Sequence, residues 1–297
     1  MKTIILLTAA LAAAVVVTPT AQQGQGQNPS QLPLSLGLRE KGSSLTGAFE
    51  GWYHDKDGSI RVLVGYMNRN TKQEFDIPVG ANNRIEPGGP DQGQPTHFQS
   101  GRQWGVFTIK LPKDFADKKL TWTLVANGFT NAITLHTKAE YILEPFEDAA
   151  SKNTPPVIRF EQGGKAFNGP PSGIAATLLA TPGKPLTIDA WVTDEGPKVN
   201  PMPAIAGFDP PPPGIKWSVF RAPAGGTGTP VTFDPPNPKI DKATGKVTTN
   251  ATFAAPGEYI LRMQANDSTG EGGGGFQCCW TNAHVKVTVG PRSSAGL

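Results

Sequence analysis

The stretch from Lys246 to Val289 constrains the fold of this chain most. Two alternating apolar runs flank a Pro-Gly turn and a glycine-rich loop. Tyr259, Leu261, Met263 and Ala265 occupy every second position, with Arg262, Gln264 and Asn266 between them. Val285, Val287 and Val289 repeat the pattern against Lys286 and Thr288. Successive side chains of a strand point to opposite faces, so a period of two marks one buried and one wet face. The residues predict two closing strands of a β-sandwich, with Arg262, Gln264 and Asn266 facing water.

The rest of the chain agrees with that class. It holds 35 glycines and 29 prolines in 297 residues, with only 17% charged. No long segment carries a 3.6-residue period, so the expectation is all-β with many turns. At the start, Lys2, an apolar run over 4–17 and the small residues Thr18-Pro19-Thr20-Ala21 read as a secretory signal peptide cut near Ala21. About 14 apolar residues fall short of the ~20 that span a membrane. The reading is an exported chain, periplasmic or extracellular, with no membrane span after cleavage. The net charge of +3 comes with no basic stripe, which argues against a nucleic-acid partner.

Roughly 275 residues remain after cleavage, room for two domains. Residues 22–35, rich in Gln, Gly, Asn and Pro, predict a flexible leader. Residues 36–148 then predict an N-terminal β-sandwich with strands over 48–54, 59–68, 73–79, 103–111, 120–127 and 132–137. Asp55-Lys56-Asp57-Gly58 reads as a hairpin turn, because Asp-Gly tolerates positive φ. A single helical turn is expected over 113–118. Residues 149–156 form a stiff linker. Residues 157–290 predict a second sandwich with strands over 157–160, 186–193, 215–221, 247–253, 258–266 and 284–289. The proline-rich stretches 197–213 and 235–238 cannot be central strands.

The corner Ala255-Pro256-Gly257-Glu258-Tyr259-Ile260-Leu261 resembles the one that opens the sixth strand of immunoglobulin-like domains. The resemblance implies that the Tyr259 hydroxyl bonds back to the backbone and that Leu261 takes the place of the family's core cysteine. Trp217 resembles the buried tryptophan of the third strand, faced by Ile188 or Ala190. The stretch from Ala190 to Gly196 is similar to PKD and cadherin-like modules of bacterial extracellular proteins, whose cores are purely apolar. Such modules imply spacing, adhesion or ligand presentation. The chain as a whole resembles uncharacterised secreted bacterial proteins with an immunoglobulin-like C-terminal half.

Candidate sites are few. The two cysteines, Cys278 and Cys279, are adjacent. Neighbouring Cα atoms lie ~3.8 Å apart across a trans peptide and ~2.9 Å across a cis one. Relaxed disulfides span about 4.4–6.8 Å. A vicinal disulfide, intermolecular pairing and inert thiols all stay open. On a regular strand one cysteine would be buried and the other exposed. A bridge would make a stiff apolar plate beside Phe276 and Trp280, suited to ligand contact, or would simply pin the loop before the last strand. Residues 80–94 form a segment too long for an ordinary connection, so Asn83, Arg84, Asp91 and Gln92 are contact candidates, with disorder the alternative. Trp52 shares a strand face with Glu50 and His54, which makes it the candidate sugar platform outside the core, with burial in the core the alternative. Trp104, Trp122 and Trp217 are expected inside. Asp194, Glu195, Asp267 and Glu271 offer calcium oxygens if they converge, and solvated turn carboxylates if they do not.

Catalytic signatures are poor. There is no nucleophile elbow, zinc-binding histidine pair or phosphate loop, and His54, His97, His136 and His284 are scattered. A paired-carboxylate glycosidase is the one catalytic reading left open by motif. No cofactor, metal or catalytic residue is assigned. The expected function is a non-catalytic binding or spacer protein with a protein or cell-envelope glycan partner. The alternatives are a carbohydrate-binding accessory protein using exposed aromatics and a small glycoside-processing enzyme.

Overall fold

Alternation of apolar and polar residues produces sixteen strands in a computed structural model that describes residues 38–198, 212–223, 231–267 and 278–290. The signal and leader segments, Glu271, Phe276 and most of the 197–213 stretch lie outside the described residues. The first eight strands are β1 (Leu45–His54), β2 (Ile60–Asn68), β3 (Phe75–Asp76), β4 (Asn83–Glu86), β5 (His97–Phe98), β6 (Gly101–Lys110), β7 (Leu120–Ala126) and β8 (Phe129–Leu135). They make the sheets β1-β2-β6 and β4-β7-β8, with a short β3-β5 ribbon beside them. Val62, Val64, Phe107, Ile85, Trp122 and Leu124 meet between the sheets in one apolar core. Burying each such side chain stabilises by about 1.5–3 kcal/mol. The β1–β2 hairpin closes through Asp55–Gly58, where Gly58 takes φ +76° and Asp55 N–H donates to Ser59 O at 2.7 Å.

The remaining strands are β9 (Val157–Arg159), β10 (Ile174–Ala180), β11 (Pro185–Thr193), β12 (Gly214–Arg221), β13 (Val231–Asp234), β14 (Lys246–Phe253), β15 (Gly257–Asn266) and β16 (Trp280–Val289). They form the sheets β13-β14-β11-β9 and β10-β16-β15-β12. β10 runs parallel to β16, while the other pairs in both sheets are antiparallel. Tyr259, Leu261, Met263, Ala265, Trp217, Ile188 and Ala190 all lie in the second core. The Tyr259 hydroxyl donates to Ala255 O at 2.9 Å, the corner bond that the immunoglobulin resemblance implied. Both halves are thus all-β sandwiches, the second with immunoglobulin-like topology, and the chain from Leu38 onward is one compact unit.

Several local expectations are corrected. Residues 80–94 are not a structureless loop: β4 lies inside them and pairs with β7. The strand expected over 73–79 shrinks to two residues. Residues 113–118 make turns rather than a helical turn, with Phe115 N–H donating to Pro112 O and Lys118 N–H to Phe115 O. The last strand starts four residues earlier than expected, at Trp280. β4, β5, β10 and β13 lie outside the strands that alternation predicts.

Candidate functional site

The structured centre of this molecule is the seam where the two sandwiches meet. It begins with the residues of β15 that alternation places on the wet face. Arg262 is only 3% exposed and Gln264 is buried as well, because the ends of β15 and β16 lie against β6. Arg262 Nη1 donates to Gln103 Oε1 at 3.0 Å, Nη2 to Trp104 O at 2.8 Å, and Nε to Asn282 Oδ1 at 2.8 Å. Asn282 in turn donates through Nδ2 to Gly105 O at 2.9 Å. The guanidinium fork suits this arrangement because its donors are fixed in one plane and cannot lose their charge.

Glu50 supplies the negative charge nearby. A bulge in β1 between Phe49 and Gly51 shifts the register there. The Glu50 carboxylate accepts from Gly105 N–H at 2.9 Å and 3.0 Å and from Arg102 Nη2 at 2.9 Å. Burial pushes its pKa up, against the opposing pull of Arg102 and the Gly105 amide. Arg102 Cζ also lies over the Trp104 ring, 3.9 Å from its centroid. Gly105 is required by geometry: its φ is +51°, and a Cβ there would stand 2.8 Å from Trp280 Nε1.

His284 completes the seam. Its Nε2–H donates to Val106 O at 3.1 Å, and its ring stacks on Phe220 at 4.1 Å. Burial, reinforced by the Arg262 charge, holds its pKa down at about 3, so the ring is neutral. A second set of contacts lies along β12. Phe220 packs in the core of the first sandwich, and Thr96 N–H donates to its carbonyl at 3.1 Å. Arg221 forms a two-pronged pair with Asp91 at 2.7 Å and 3.1 Å. Further links are Lys56 Nζ to Asn168 Oδ1 and Thr108 Oγ1 to Pro171 O.

The sequence candidates largely resolve into this framework. Trp52 is not a surface platform: it is 9% exposed, belongs to the first core, and donates through Nε1 to Lys138 O at 2.7 Å. Trp104 is half-buried, while Trp122 and Trp217 are interior. Trp280 is buried and packs with Tyr53, Leu63 and Leu143. Arg84 is engaged by Glu86 at 2.9 Å and by Ala81 O, and Asp91 is engaged by Arg221. Phe276 lies outside the described residues. Cys278 and Cys279 are joined to each other, and both are buried. They precede β16 rather than sit within it, so the alternation that would expose one of them does not apply. Cys278 Sγ lies 3.8 Å from Asn153 O, and Asn153 Nδ2 donates to Asp267 Oδ2. The bridge therefore backs onto the 149–156 segment, of which Asn153, Pro155 and Pro156 are buried.

Of the calcium candidates, Asp194 and Asp267 do approach. Burial chiefly, and the Asp267 charge next, push the Asp194 pKa up. Among the described residues no three His, Cys, Asp or Glu side chains gather as a metal site. Open clefts lie elsewhere. One of about 620 Å³ is bordered by Phe160, Phe167 and Trp191 and carries the carboxylates of Glu161 and Asp189. Asp189 is bound by Lys246 at 2.9 Å and by Thr248 at 2.6 Å. Burial alone would lift its pKa, yet these two partners hold the carboxyl below its ordinary value.

Sequence reasoning missed the seam because its residues are scattered over β1, β6, β12, β15 and β16. One available signal was the pair Arg262 and Asn282, bulky polar groups at outward positions beside two apolar strands.

No family model and no curated protein matches this chain. Among solved structures it is similar to domains 4 and 5 of the S-layer protein SbsC, at 10% identity over 83% of this chain and 98% of that one, with a TM-score of 0.22. The D00-D0 domain of intimin gives 12% identity over 83% and 100%, with a TM-score of 0.25. The Yersinia pseudotuberculosis adhesin InvE gives 13% over 84% and 59%, with a TM-score of 0.23.

Proposed function

We propose that this chain is an exported, non-catalytic protein that binds or spaces as one stiff tandem of β-sandwiches. The buried Glu50–Arg102–Arg262–Asn282 seam carries the reading. Glu50 and Arg102 pair within the first sandwich, and Arg262 and Asn282 reach across from the second to Gln103, Trp104 O and Gly105 O. Interfaces between domains of one chain are as a rule modest, and relative motion is the default unless the interface is large. Buried charge with matched partners fixes one relative placement, which is what a spacer needs. The bridged Cys278–Cys279 pair accords with an oxidising compartment. Small-angle X-ray scattering of the mature chain tests the proposal: one fixed particle shape should fit the profile. A profile that demands a range of placements would remove the spacer reading. Mass spectrometry of the secreted protein should find a chain beginning after Ala21.

A carbohydrate-contact reading has one observation in its favour. Phe49, His136 and Tyr141 form a ring cluster with centroids 4.5–5.4 Å apart, and Tyr141 is 46% exposed. Tyr141→Ala should abolish any tryptophan-quench response to a glycan panel, and a response that survives the substitution would place contact elsewhere.

A further inference from the structure

An uncovered sheet edge presents a row of free backbone N–H and C=O groups to any strand that meets it, and native proteins close or charge such edges. Most edges here are managed. β1 is met by Leu143, whose N–H donates to Trp52 O at 2.8 Å. β4 is capped where Ile85 N–H donates to Pro90 O. β6 is crossed by Asn282 and His284. β8 lies along β1, with Asn131 Nδ2 donating to Leu45 O. In the second sandwich β12 is covered by Thr96 and by Pro236, whose carbonyl accepts from Trp217 N–H. β13 ends in Asp234-Pro235-Pro236, β9 is three residues long and ends in Arg159, and the part of β11 beyond β9 carries Pro185 and Asp189.

β10 is built differently. Ile174-Ala175-Ala176-Thr177-Leu178-Leu179-Ala180 contains no charge and no proline. It pairs with β16 on one side, and no described residue pairs with its other edge. Leu179 is 77% and Ile174 43% exposed, the two exposed large aliphatic side chains of the second sandwich among the described residues. A cleft of about 620 Å³ lies beside residues 175–178, walled on its other sides by Phe160, Phe167 and Trp191.

We infer that β10 pairs with β10 of a second copy of this chain, antiparallel about a two-fold axis at Thr177. The inference names the partner of the non-catalytic binding module proposed above. Two observations select a second copy. Most of the other described edges are covered, charged or proline-blocked, so a strand arriving from another copy finds its match in β10, and one patch serves both chains, as a two-fold contact requires. The sequence is also complementary to itself. A register centred on Thr177 sets Leu178 opposite Ala176 and Leu179 opposite Ala175, so every leucine meets an alanine, while Thr177 faces Thr177. The two four-stranded sheets become one continuous sheet.

Sedimentation velocity of the mature chain is the test. The wild type should run as a concentration-dependent dimer. T177K/L179K should run as a monomer with an unchanged circular dichroism spectrum and melting temperature. Cβ atoms of directly opposed residues lie about 4.5–5.5 Å apart, so Thr177→Cys should cross-link two copies under mild oxidation, and exposed Thr232→Cys should not. This second variant decides the matter even if the lysine variant fails to fold. A wild type that stays monomeric at its highest soluble concentration would overturn the inference. So would a dimer that neither T177K/L179K nor Thr177→Cys affects. A monomer whose scattering still fits one rigid tandem would sink the pairing alone and leave the spacer reading standing.

Discussion

His284 shows how a single residue couples the seam to pH. An unfolded histidine takes up its proton near pH 6.5, whereas the buried ring does so at about 3. Between those values the unfolded chain holds more protons, so stability falls as pH drops below 6.5. From pH 6.5 to 4.5 this one ring should remove about 2–3 kcal/mol. Urea unfolding at the two pH values checks it: His284→Gln should be less stable at pH 7 yet lose less on acidification. His97 works in the opposite sense. It sits between Asp76 at 2.8 Å and Glu74 at 3.2 Å. Burial opposes its charge, but those two carboxylates outweigh burial and raise its pKa to about 9. Its contribution is therefore whole below pH 6.5 and fades as pH rises through 9. With both carboxylates partly exposed, about 1–2 kcal/mol is expected. The gap between wild type and His97→Gln should accordingly close above pH 9 in a thermal-melt series.

At the scale of strands, the period-two reading recovered β15 and β16 and their buried faces. It misread the opposite face, because alternation distinguishes two sides without saying what covers the second. Arg262, Gln264 and Asn282 look like solvent residues until another sandwich lies against them. β10 escaped notice because Ile-Ala-Ala-Thr-Leu-Leu-Ala has no alternation, and β13 because prolines follow it at once. The corner at Tyr259 was legible since a local motif fixes a local bond, and Tyr259→Phe should cost about 1 kcal/mol in urea unfolding. Trp52 was misplaced by reasoning from its neighbours Glu50 and His54, since the bulge between Phe49 and Gly51 breaks the simple two-residue count. Arg102→Ala strips the buried Glu50 of its cation and should cost about 3–5 kcal/mol. In the same assay Lys72→Ala, at an exposed pair with Glu40, should change little.

Taken whole, the molecule is two apolar cores joined by a polar seam in which Arg262 and Asn282 of the second sandwich bind Gln103, Trp104 O and Gly105 O of the first. Fold class and the identity of the second core were readable because each depends on residues close in sequence. The joint was not, since its contacts link residues more than 150 positions apart, such as Arg262 with Gln103 and Asn282 with Gly105. Such a joint should make the two sandwiches unfold together, although each has its own core. Differential scanning calorimetry of the mature chain tests this most directly. One transition is expected, with calorimetric and van't Hoff enthalpies equal, and Arg262→Ala should split it in two. Two separate transitions in the wild type would contradict the account.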